Sequence, residues 1–156
     1  MGDFVALCLL GALGLLLVSA GIEDVRRREI ANWKNAGIAL LAPLWWWSIG
    51  LDLWPGAVLQ IALALAVFGV FVGAFCLGQM GGGDVKLIGA LALWLPFTPL
   101  IWMVVIMSLV GGVLTLVMVI ERHMRRDSRP PEIPYGVAIV IAGLLAMREP
   151  ILNHFG

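Results

Sequence analysis

The sequence predicts an all-α, polytopic membrane bundle of about six transmembrane helices, the fourth of them short. Composition is the first reason: 62% of the 156 residues are hydrophobic and only 13% are charged. Soluble domains carry about 45–50% apolar and about 25% charged residues, so this chain cannot cover a water-facing surface. The second reason is pattern. The apolar runs are long and continuous rather than alternating, which favours helices over barrel strands, and only those two architectures satisfy their backbone in lipid. The third is where the basic residues fall. Arg26, Arg27, Arg28, Lys34, Lys86, Arg122, Arg125, Arg126 and Arg129 all land on one side of a six-span topology, leaving only Arg148 on the other. The positive-inside rule makes that side the cytoplasm and puts both termini outside.

The spans follow in order. Phe4–Ile22 is long enough to cross about 30 Å of hydrocarbon, and Asp3 is the only charge before it. A signal peptide would need a basic segment there, so the run is read as a span. Ala36–Leu51 comes second and ends at "LDLWPG", where Pro55 suits the start of the next helix. Trp45, Trp46 and Trp47 read as an aromatic belt at its outer end. Gly56–Leu77 is third. The fourth begins beyond Gly81-Gly82-Gly83 and reaches about Leu95, too short to span without support from its neighbours. Leu100–Ile120 and Tyr135–Met147 complete the set. No repeat or linker divides the chain, so residues 1–156 are expected to form one integral membrane domain.

Several functions lack support. Net charge is zero, so no nucleic-acid partner is expected. Cys8 and Cys76 read as small buried hydrophobes, and His123 and His154 lie far apart. No metal and no cofactor is therefore expected.

Most carboxylates neighbour arginines and read as solvated surface pairs of little energetic weight. Asp24 and Asp84 differ. Asp24 ends the first span and Asp84 opens the fourth, so topology brings them to one membrane depth although sixty positions separate them. Each has a plain structural explanation, Asp24 neutralising an arginine and Asp84 capping a helix. As a pair they can share a proton, because like charges about 3 Å apart cannot both ionise. The ionised member can then take a proton from water while the protonated one polarises a carbonyl, the chemistry of aspartic proteolysis. Gly81, Gly82 and Gly83 support that reading. Three glycines exceed what a helix break needs, and they offer φ > 0 and a bare strip for an extended peptide. Lys86 is a candidate to tune Asp84, although two residues along a helix turn its side chain away, and a snorkelling membrane anchor is the plainer role.

With those residues in view, the sequence resembles the prepilin peptidases, membrane aspartic proteases of the Gly-x-Gly-Asp type. Gly81-Gly82-Gly83-Asp84-Val85-Lys86-Leu87 matches their second catalytic motif. Asp24 with "VRRREIANW" looks like the first, and Pro134-Tyr135-Gly136 is similar to the Pro-x-Gly element that opens their last helix. Ala31 departs from the proline common at that position. The first connection is also short and lacks the paired CxxC motifs of the long, methylating members. The resemblance is therefore to the short class serving tight-adherence (Flp-type) pili.

It implies an endopeptidase of the bacterial inner membrane with its active site facing the cytoplasm. Asp24 and Asp84 would be catalytic and would titrate as a coupled pair, neither assigned the base. Gly81, Gly82, Gly83, Pro134, Tyr135 and Gly136 would approach the substrate backbone. The implied partners are membrane lipid and a prepilin with a basic leader and a hydrophobic helix; Glu23 and Glu29 could attract that leader. N-methyltransferase activity is not expected. The reading from another class is a small transporter or channel subunit using the same acids for protons or cations. A non-enzymatic assembly factor, in which neither acid would matter singly, is a third.

Overall fold

Uninterrupted apolar runs must satisfy their backbone internally, and helices are the result. The computed structural model describes residues 2–125 and 135–148. Those residues form six α-helices and no strand: α1 (Gly2–Arg27), α2 (Asn32–Ser48), α3 (Val58–Cys76), α4 (Gly82–Ala92), α5 (Phe97–Arg125) and α6 (Tyr135–Ala146). A short π-turn, Leu53–Ala57, leads into α3. Among the described residues, three stretches are long and apolar enough to cross a membrane: Gly2–Arg27, Leu53–Cys76 and Phe97–Glu121. The other three helices, of 17, 11 and 12 residues, fall short of the roughly 20 residues that crossing alone needs. At about 1.5 Å per residue, the 11 residues of α4 rise only about 16 Å.

Helices α1, α2, α4 and α6 pack in a ring, each against the next, with α3 laid on the outside of α4 and α5 on the outside of α6. The ring encloses Leu13 and Leu17 of α1, Ile38 of α2, Leu87 and Leu91 of α4 and Ile139 of α6, all fully buried. Almost none of the apolar window of α3 is buried, which leaves it a lipid-facing surface. This is an all-α membrane helical bundle.

A short helix buried among others needs partners for its last carbonyls, which no intrahelical donor reaches. Gln60 of α3 donates from Nε2 to Ala92 O (2.7 Å) and Leu95 O (2.6 Å), and Trp46 Nε1 donates to Leu93 O (2.8 Å). Trp94 Nε1 in turn donates to Ile38 O at 2.9 Å and stacks on Trp45 at 5.7 Å. The aromatic-belt expectation is corrected here. Trp45 is buried and Trp46 half-buried; only Trp47 is exposed. The orphan Leu93 carbonyl draws Trp46 inward, and stacking on Trp94 holds Trp45 there.

Helix ends also differ from the apolar boundaries. Polar residues continue a helix wherever neighbours satisfy them, so α1 runs on to Arg27 and α2 starts at Asn32, with Pro43 inside it. Cys8 and Cys76 are exposed rather than buried.

Candidate functional site

The site lies where α1 ends and α4 and α6 begin. Helix α1 stops at Arg28, whose φ of +56° is left-handed. That backbone turns residues 28–31 across the end of the ring, while Arg28 N–H still donates to Asp24 O (2.9 Å). Helix α3 ends on Gly78 at φ +71°, with Gly78 N–H donating to Phe75 O and Gln79 N–H to Ala74 O. Those two bonds form a Schellman cap, which needs the left-handed residue that glycine adopts without steric cost.

Asp24 and Asp84 are 5% and 9% exposed. They reach the same space from helices on opposite sides of the ring, and both line two adjoining cavities of about 320 and 620 Å³. Arg28, Glu29 and Gly81 also line both; Tyr135 lines the larger. Asp24 Oδ2 accepts a hydrogen bond from Val137 N–H in the first turn of α6 (3.2 Å). Such N–H groups have no intrahelical partner and favour a carboxylate. Asp84 sits in the first turn of α4, its Oδ2 3.1 Å from where a Cβ on Gly81 would stand.

The glycines act through close approach rather than through φ. None of Gly81, Gly82 and Gly83 has a positive φ; Gly81 is the extended N-cap and the other two are helical. The extended-strip expectation is corrected to this extent. A Cβ on Gly83 would lie 3.4 Å from both Cβ and N of Ile30, and one on Gly82 would lie 3.4 Å from the Phe75 ring. Gly136 is tighter. Its Cβ would fall 2.7 Å from Asp24 Cγ, 2.8 Å from Asp24 Oδ2 and 2.9 Å from Ile30 Cδ1. Only a residue without a side chain lets α6 start against Asp24.

Lys86 is not brought to the acids. Its Nζ donates to Asn32 Oδ1 at 2.9 Å, and it faces a separate apolar groove between α2, α3 and α4. Pro134 lies outside the described residues. Two inner charges depart from the solvated-loop expectation. Lys34 is 6% exposed within α2, and its Nζ pairs with Glu23 Oε2 at 2.8 Å. Sequence reasoning missed Ile30, which lies against Gly83 and Gly136, and Asn35, whose Nδ2 donates to Gly83 O (3.2 Å). Ile30 carried no signal, but Asn35 follows Asn32 at a helical spacing of three, which marks α2 as starting early.

Fold and site together define an all-α membrane bundle with two acids lining the same adjoining cavities at the end of a four-helix ring. The chain belongs to the type IV leader peptidase family, which it matches over residues 4–116. That span holds Asp24, the three glycines and Asp84, and ends before Tyr135. The chain is similar to the prepilin leader peptidase/N-methyltransferase of Legionella pneumophila, at 34% identity over 128 residues. The similarity covers 81% of this chain and 40% of that protein, so the chain spans about two fifths of its relative's length. No solved structure matches it.

Proposed function

We propose that this chain is an aspartic endopeptidase that removes the leader of a type IV or Flp-type prepilin at the cytoplasmic edge of the bacterial inner membrane. The observation that carries the reading is the convergence of Asp24 and Asp84 on shared cavities beside the bare backbone of Gly81. The ionised acid accepts a proton from a bound water, and the resulting hydroxide adds to the scissile carbonyl carbon. The protonated acid donates a hydrogen bond, then its proton, to the carbonyl oxygen. Collapse of the tetrahedral species breaks the C–N bond and returns a proton to the departing amine. A prepilin held by its own hydrophobic helix presents its leader junction at this depth, and Glu29 at the mouth suits a basic leader.

The longer relative is named for methyl transfer as well as for leader cleavage. The first connection here, residues 28–31 between α1 and α2, has no room for an inserted cysteine domain, so peptidase activity alone is proposed. A transport site would be favoured near mid-bilayer, whereas Asp24 lies in the last turn of α1 and Asp84 in the first turn of α4.

Co-expression with a prepilin, in a host lacking its own leader peptidase, tests this. The prepilin should be shortened by wild type and stay at precursor length with Asp24→Asn or Asp84→Asn, at equal membrane abundance. Maturation with either variant removes that acid from the mechanism. The mature N-terminus should carry no methyl group by mass.

A further inference from the structure

Glu23 and Lys34 have no part in the chemistry above, yet they form a closely bonded pair beside it. Lys34 Nζ bonds Glu23 Oε2 (2.8 Å) and Ser19 O (3.0 Å), and Glu23 Oε2 also accepts from Ala31 N–H (3.1 Å). The pair thus ties the last turns of α1 to the first turn of α2 and holds the end of the segment between them. Within that segment Ile30 is buried, with its main chain and Cβ against Gly83 and its Cδ1 against Gly136. Gly83 precedes Asp84, and Gly136 lies against Asp24. One side chain therefore wedges between the helix starts that carry or contact the two acids.

We propose that Glu23, Lys34 and Ile30 are positioning residues: the ion pair braces the 28–31 segment, and Ile30 sets the spacing between Asp24 and Asp84. An isolated charge in a largely buried place would be costly, and pairing together with two further hydrogen bonds answers that cost. The same bonds fix the segment, because moving it would unpair a charge. A wedge seated against two glycine backbones has little slack, since close-packed interiors pass a displacement on rather than absorb it. This inference rests on the peptidase reading.

The test measures kcat and KM for leader cleavage in proteoliposomes containing the full chain and one synthetic prepilin. Lys34→Met removes the brace, Glu23→Gln removes its charge while keeping an acceptor for Ala31 N–H, and Ile30→Val deletes the methyl that reaches Gly136. Each should lower kcat while KM stays within about twofold. Losses should be about tenfold to a hundredfold for Lys34→Met, as for a displacement of up to about 1 Å at reacting groups, and smaller for Ile30→Val. A purely structural role would instead lower membrane abundance and leave kcat per folded molecule unchanged. Wild-type kcat in Glu23→Gln and Ile30→Val, or a loss carried by KM, overturns the proposal. Those two variants decide the matter if Lys34→Met does not accumulate. An inactive wild type overturns the peptidase reading itself, and this inference with it. An active wild type with inactive Asp24→Asn and fully active brace variants overturns only the positioning role.

Discussion

Gly136→Ala adds one carbon at the tightest point of the site. The new Cβ would stand 2.7 Å from Asp24 Cγ and 2.9 Å from Ile30 Cδ1. Carbon atoms in contact sit about 3.5–4.0 Å apart, so α6 or the Asp24 carboxyl must yield by about 1 Å. Movement of α6 also stretches the bond from Val137 N–H to Asp24 Oδ2. Overpacking of this kind costs about 1–3 kcal/mol of stability, which a membrane bundle can survive. A shift of about 1 Å in a reacting group costs about a hundredfold in rate. The assay compares initial rates of prepilin cleavage, normalised to folded protein, for Gly136→Ala and for Gly14→Ala. Nothing lies within 4 Å of a Cβ at position 14. Gly14→Ala should cleave like wild type, and Gly136→Ala about a hundredfold more slowly. Equal rates would mean that Asp24 does not react from the position it holds against α6, and the reasoning would fail.

Three further outcomes follow from the same geometry. Gln60→Met strips two hydrogen bonds from the end of α4 and should cost about 1–3 kcal/mol, because buried carbonyls lose their donor; thermal unfolding in detergent measures it, and an unchanged midpoint would contradict the anchoring role. Gly78→Ala forces a side chain into the left-handed region at φ +71° and should cost about 1–2 kcal/mol, read as a lowered thermal midpoint in detergent. Because one acid must hold the proton and the other lack it, kcat/KM against pH should be bell-shaped; a profile flat from acid to alkaline pH would contradict proton sharing.

The helices were legible because lipid leaves an apolar run few other structures. Their ends were not, since boundaries drawn at polar residues miss partners supplied by tertiary contacts. Lys34 shows why: its charge reads as a loop marker, yet Glu23 and Ser19 O satisfy it inside α2. Trp45 and Trp46 failed as a belt for a related reason: neither the stacking partner Trp94 nor the Leu93 carbonyl in need of a donor can be seen from their own run. That Asp24 and Asp84 reach the same end of the bundle was legible from topology, and the glycines beside Asp84 singled the two out. The glycines were legible as a place of close approach but not in their dihedrals; the left-handed glycines among the described residues are Gly50 and Gly78, and Gly81–Gly83 are bare because Asp84, Phe75 and Ile30 press on them. Gln60 was a missed signal, a lone amide in "VLQIALALAV" that called for a partner.

That Asp24 and Asp84 act as one unit is tested most directly by the rates of Asp24→Asn, Asp84→Asn and the double variant on one prepilin in proteoliposomes. A shared proton predicts that either single substitution costs about as much as both together. Costs that multiply in the double variant, or a single variant that cuts at the wild-type rate, would contradict it.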